Sequence, residues 1–465
     1  MTKARRFRFV RPRPVGLLGA MLLVLASTYL VTAQNGGNLA GSQAIAPAAS
    51  LAPPDAPAPP AGRSERLMAR YESAIRAWNA SLDASAANFI AATNLGTVYV
   101  GRARLTGDLA DYGRALTAVA LALKTNASYL PARQLHATIE FALHDFVGAR
   151  DEARAILAGA PDQLQALATL GDASLELGDV KVARDSYQAL DRQAPSAPVW
   201  SRLSHLAFIE GDLNRAIGLV QRAIEAMVDE PPSESTAFYH FQLGELYRAR
   251  GDTGAAAAAY EHALADLPSY VPATAGLARV REAQGRRADA VALLMKATDQ
   301  VPQPEMVSAL GDLYALAGDP IAAERAYKLV ERIGAIGRAT GAVYNRQLLL
   351  FAADHDRGVA DAVILARAEL KARQDVYAHD ALAWLLFKDG QLAEAATEAS
   401  AAMTLGTPDP RIAYHAGMIA AAITGRDEEA RRLLSQALAG ASYLPPLQVS
   451  IAIGALAALG PGTTR

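Results

Sequence analysis

The sequence predicts an all-α protein built as a linear stack of about ten helical hairpins, an α-solenoid. Three observations carry this. A glycine that interrupts an amphipathic pattern returns at Gly178, Gly211, Gly251, Gly285, Gly318, Gly390 and Gly425, in steps of 33, 40, 34, 33, 72 and 35 residues, the 72 leaving room for two units. A small residue follows each break five positions later, at Ala183, Ala216, Ala256, Ala290, Ala323, Ala395 and Ala430. Hydrophobic residues make up 51% of the chain and aromatics only 6%, the excess being alanine, which suits close helix–helix contact and excludes a disordered chain. A fixed period also overrides the expectation of two or three globular domains from 465 residues, since a stacked array grows one interface at a time.

The clearest unit is Ala237 to Tyr270. Leu243, Gly244 and Tyr247 lie in a first apolar-periodic segment, and Ala256, Tyr260 and Ala263 share one face of a second. Gly251 suits the left-handed position that stops the first helix, Asp252 the cap of the next, and Pro268 closes the unit. Small residues at Gly244 and Ala256 are expected to let backbones approach, with Tyr247 and Tyr260 filling space between hairpins. Leu170-Gly171…Ala183…Tyr187…Pro195 and Leu310-Gly311…Tyr314…Ala323…Tyr327 repeat the phrase. A helix–turn–helix repeat of about 34 residues with this Leu-Gly…Tyr…Ala…aromatic…Pro pattern resembles the tetratricopeptide repeat. The resemblance implies a superhelix with a long concave groove for a protein or peptide.

From the N-terminus, residues 1–14 carry six basic residues and no acid, and Val15 to Val31 is uncharged. With the small residues before Gln34 this reads as an export signal, cleaved after Ala33 or retained as an anchor with the rest of the chain outside the cytoplasmic membrane. Residues 34–63 are a flexible linker rich in Ala, Pro, Gly and Ser. Residues 64–86 are expected to form a capping helix (Leu67, Met68, Tyr71, Ile75, Trp78), followed by repeats over 87–444. The units start near 87, 130, 164, 197, 237, 271, 304, 343, 376 and 411. The first carries about seven extra residues around Gly101 to Asp111, and the units at 130 and 343 have His144 and Arg357 where the break glycine belongs. A Tyr-aliphatic-Pro phrase recurs at Tyr129, Tyr270 and Tyr443, so residues 445–465 begin one more helix, Pro446 to Leu459. Its apolar composition on several sides (Val449, Ile451, Ile453, Leu456) suggests self-association through this end.

Net charge is −2 and cysteine is absent, which argues against nucleic-acid binding by the chain as a whole and excludes disulfides, thiolate metal sites and a cysteine nucleophile. No phosphate-binding loop, nucleophile elbow or His-Glu-x-x-His pair occurs. Asp354-His355-Asp356 is the one local His–carboxylate cluster, and its place at a helical turn reads as a solvated turn. No cofactor or metal is expected, nor an enzyme.

In the resembling family the first helix of each unit lines the groove. Matching its positions onto this chain gives a central patch of Arg202, His205, Phe208, Phe241, Glu245, Arg248 and Arg279. A C-terminal patch contains Tyr344, Phe351, Tyr377, Trp384, Phe387 and Lys388. Phe241, Gln242 and Glu245 do not supply the lysine and asparagine with which some members clamp a C-terminal carboxylate. The expected function is a non-catalytic scaffold or adaptor outside the cytoplasmic membrane, with an accessory subunit of a membrane enzyme or transporter as the alternative.

Overall fold

A computed structural model describes residues 63–106, 108–339 and 346–460, and these contain 22 α-helices and no strand. The expected export signal and linker lie outside the described residues, as does Tyr344. Helix α1 (Arg63–Ala84) precedes ten hairpins. They are α2/α3 (Phe89–Thr106, Leu109–Thr125), α4/α5 (Leu130–Ala142, Phe146–Gly159), α6/α7 (Leu164–Glu176, Val180–Gln193) and α8/α9 (Ala197–Ile209, Leu213–Glu225). Next come α10/α11 (Glu234–Arg250, Thr253–Asp266), α12/α13 (Val271–Ala283, Arg287–Gln300) and α14/α15 (Pro304–Leu316, Pro320–Ala339). The series ends with α16/α17 (Arg346–Asp354, Val359–Leu370), α18/α19 (Val376–Lys388, Leu392–Ala402) and α20/α21 (Pro410–Ala421, Asp427–Ala439), before a 3-10 turn, Ala441–Tyr443, and α22 (Pro446–Ala458). No described helix is long and apolar enough to cross a membrane.

Turn chemistry recurs as the period requires. All seven break glycines adopt positive φ, between +76° at Gly285 and +89° at Gly211. The next residue then caps the second helix: Asp179, Asp212 and Asp252 accept from the backbone N–H three residues on, as does Asp145 in the unit without a glycine. There His144 itself takes φ +65°. In the other irregular unit Arg357 does not replace the glycine; Asp356 (φ +53°) and Gly358 (φ +64°) make the turn between them.

The conserved-looking Gly-Tyr spacing has a different physical basis from close backbone approach. A Cβ at Gly244 or Gly276 would strike the Tyr260 ring, at 2.5 and 2.6 Å, and Gly171 and Gly311 stand in the same relation to Tyr187 and Tyr327. The glycines make room for a buried aromatic ring. Each ring then hands its hydroxyl to the acid after the first-helix glycine: Tyr187 donates to Asp172 at 2.8 Å, Tyr327 to Asp312 at 2.9 Å, and Tyr260 to Glu245.

The stack does not remain open. Six units along, the chain returns onto itself in register. The segment before α18 meets the α6/α7 turn, that before α20 meets the α8/α9 turn, and that before α22 meets the α10/α11 turn. The carbonyls at the ends of first helices, which have no intrahelical donor, receive donors from the returning chain. Gln374 N–H and the Arg373 guanidinium donate to Leu177 O and Glu176 O, at 3.3 and 3.0 Å, and Thr407 Oγ1 donates to Ile209 O at 2.6 Å. Apolar packing runs across this seam as well, Val376, Ala402 and Ile412 sharing one buried cluster with Leu206, Ile209, Leu243 and Leu246.

Candidate functional site

The expected groove residues sit on first helices, and most of them are covered. Arg202 is 4% exposed and is held by Asp172 through bonds of 2.8 and 3.0 Å, the acid that also takes the Tyr187 hydroxyl. Phe208 is buried in the seam cluster. Arg248, 3% exposed, donates to Ser442 O at 3.2 Å, pairs with Glu245 at 2.8 Å, and lies 4.7 Å over the Tyr443 ring. Phe241 is half-buried between the rings of Tyr260 and Tyr270. Arg279 pairs with Glu305. The same or adjacent hairpins cover Arg202, Phe241 and Arg279, and the returning chain covers Arg248 and shares the cluster that buries Phe208.

The C-terminal patch is covered as well, by its own neighbouring units. Trp384 is buried, stacks on His415 and Phe387 at centroid distances of 4.5 and 5.2 Å, and donates to Asp354 at 2.8 Å. Phe351 is buried against Tyr327 and His355. Phe387 is half-buried, and Lys388 reaches Asp356 at 2.8 Å. Nor is Asp354-His355-Asp356 a solvated turn. Asp354 also accepts from Gln448 Nε2 at 2.8 Å, and His355 Nε2 lies 2.8 Å from Asp312, so only Asp356 faces solvent. Burial pulls the His355 imidazolium down, but the Asp312 hydrogen bond and charge prevail and raise its pKa. These contacts also tie α22 to the array. Its Gln448 and Ala452 are buried while Ile451 and Ile453 remain 46% and 55% exposed.

Among the described residues, a cleft of about 460 Å³ opens at the seam. Glu176, Gly178, Lys181 and His205 line one wall, and Gln374, Tyr377, His379 and Thr404 line the other. His205 and Tyr377 are expected groove residues that line this space. Burial lowers its pKa to about 4, so it is neutral at pH 7. Arg346 lies 4.4 Å over the Tyr377 ring, and His379 is bonded to Glu398 at 2.6 Å. Behind the wall, Arg373 serves Glu176, Glu369 and Asp375 together, at 2.6, 3.4 and 3.1 Å. Burial raises Glu369 to about 9, the Arg373 charge opposing it. The cleft mixes charged side chains (Asp179, Lys181), polar ones (Gln374, Thr404) and apolar ones (Ile209, Leu405), which suits recognition. Among the described residues no group of three or more His, Asp or Glu side chains is placed to hold a metal ion.

Stacked hairpins with a glycine-stopped first helix, an Asp-capped second and a cleft between turns define a repeat-type binding scaffold. Models described as tetratricopeptide repeat match residues 135–198, 196–269 and 247–313, so this part of the chain carries tetratricopeptide repeats. It is similar in structure to a tetratricopeptide repeat protein from Parabacteroides merdae, at 17% identity over 51% of this chain and 93% of that one, TM-score 0.39. PilW, a widely conserved type IV pilus biogenesis factor, is 18% identical over 46% of this chain and 94% of its own, TM-score 0.38. MamA is 24% identical over 35% and 93%, TM-score 0.29. No curated protein matches the chain by sequence. Repeats of this family bind protein partners and are generally non-catalytic.

The sequence reading missed the buried acids that hold the units together, Asp172, Asp312 and Asp380. A signal existed for the first two: an acid directly after the Leu-Gly pair, with a tyrosine fifteen residues later, occurs at 172/187, 245/260 and 312/327. For Asp380, bonded to His415 at 2.9 Å, no comparable phrase exists.

Proposed function

We propose that the chain is a non-catalytic scaffold held on the outer side of the cytoplasmic membrane, and that its protein partner engages the seam cleft. The observation that carries the binding site is the open space between Lys181, His205, Tyr377 and Thr404, lined by both the α6/α7 turn and the returning chain. A partner side chain entering here touches both halves of the array at once, so binding favours the closed superhelix. The basic, then apolar, N-terminal segment supports export, with retention or cleavage decided by N-terminal sequencing of the protein from its native membrane fraction. Capture of the partner is tested with Lys181→Glu and Thr404→Arg, two rim changes that leave the buried network intact. Loss of a partner held by the unaltered chain supports the cleft; undiminished capture by both variants rejects it. Exposed Ile451 and Ile453 are the surface through which a second copy attaches, and an unchanged sedimentation mass in an Ile451→Glu, Ile453→Glu variant rejects that contact.

A further inference from the structure

The polar side chains around the seam cleft fall into two states. Each charged one is already engaged within the protein. Glu176 and Asp375 pair with Arg373 at 2.6 and 3.1 Å, and Asp375 also takes the Tyr377 and Ala378 N–H groups. Asp179 takes the Val182 N–H at 3.2 Å, Lys181 pairs with Asp185 at 2.7 Å, and His379 holds Glu398 through Nδ1. Three uncharged groups are in the opposite state. The His205 imidazole, the Gln374 carboxamide and the Tyr377 hydroxyl make no hydrogen bond to any described residue, and none of their polar atoms is sealed from solvent. His205 is neutral at pH 7, since burial lowers its pKa to about 4, so all three groups both donate and accept. Leu175, Ile209, Val376 and Leu405 supply apolar surface around them.

A charged group entering this space has to compete with bonds that the lining charges already make, and it loses its water in doing so. A carboxamide meets no such competition. It carries a donor and an acceptor on one planar end, and its aliphatic stem suits the apolar side chains. We propose that the partner side chain taken up by the seam cleft is a glutamine or asparagine, its carboxamide bonded to His205 on one wall and to Gln374 and Tyr377 on the other. This rests on the cleft being the place where the partner docks, and adds the chemistry of what enters it.

The test is a magnetic-resonance titration of the full chain, isotopically labelled at histidine, with capped tripeptides acetyl-Ala-X-Ala-amide at pH 7. The signal followed is the imidazole resonance that His205→Gln removes. With glutamine as X the resonance moves saturably. Glutamate, which has the same shape and a charge, and lysine bind at least about tenfold more weakly. Alanine and leucine, which keep the backbone amides and lose the carboxamide, bind about three- to tenfold more weakly, the loss of one or two neutral hydrogen bonds. Tyr377→Phe keeps the ring beneath Arg346 and removes only the hydroxyl; it weakens the glutamine peptide and leaves the alanine peptide unchanged, whereas a purely structural hydroxyl predicts no difference between them. A His205 resonance that no peptide moves, that glutamine and alanine or leucine move alike, or that glutamate or lysine moves at lower concentration overturns the proposal. Partner capture with Lys181→Glu and Thr404→Arg judges the docking place separately. Capture lost in those variants, with no preference for glutamine in the titration, keeps the cleft as the docking place and removes the carboxamide alone.

Discussion

Gly251 and Gly285 end the first helices of successive hairpins with almost the same backbone, φ +85° and +76°, yet they carry different loads. A Cβ at Gly285 meets nothing within 4 Å, and the same holds at Gly318, Gly390 and Gly425. At Gly251 it would run into the Ala439 carbonyl. At Gly178 it would sit 2.5 Å from Gln374 O, and at Gly211 2.9 Å from Gly406 O. One set of turns answers only to the local need for a left-handed residue. The other set answers to that need and to a second backbone lying against it. Identical turn chemistry thus conceals two kinds of position, one replaceable at local cost and one on which closure depends.

The largest effect that sharpens this contrast is expected from Gly251→Ala. It destabilises by roughly 3 kcal/mol or more, adding backbone overlap to the left-handed penalty of about 1–2 kcal/mol that Gly285→Ala suffers alone. Small-angle scattering reads the difference: the radius of gyration rises for Gly251→Ala and not for Gly285→Ala, and equal radii break the comparison. Arg373→Ala comes next at about 3 kcal/mol, because it leaves Glu176 and Asp375 without the cation they share; urea unfolding measures it.

The seam also responds to pH with two opposing signs. His205 is held near 4 against 6.5 when unfolded, so the unfolded chain binds more protons between those values. Stability from His205 is present above about pH 6.5 and lost as pH falls toward 4, on the order of 1–3 kcal/mol, and His205→Gln flattens that slope in urea midpoints measured against pH. Glu369 behaves inversely: raised to about 9 from 4.5, it favours the fold below pH 4.5 and loses that contribution as pH climbs toward 9. Glu369→Gln should reduce the alkaline decline. The smallest effect is Gly285→Asn, within about 1 kcal/mol by thermal melting, since asparagine tolerates the left-handed region and nothing there obstructs it.

The hairpins themselves were legible because their causes are local. Break glycines, capping aspartates such as Asp252 and the Ala256/Tyr260 face all act within one unit or its neighbour, so a period of about 34 residues displays them directly. The placement of Arg202, Arg248 and Trp384 on first helices was legible too. Their burial was not. Arg248 is covered by Ser442 and Tyr443, some 194 residues away in the Ser442 bond, and Trp384 by a network reaching Gln448. No short spacing encodes such a meeting.

By itself the sequence determined the α-solenoid and the succession of hairpins, since these follow from helix periodicity and turn conformation. Only the tertiary structure decided that the array closes six units on, that the inner surface is largely filled by its own chain, and that an open cleft survives between Gly178 and Tyr377. The reason is geometric: a small rotation between adjacent units is invisible in any one of them, and its sum over six determines whether the first turn and the next touch.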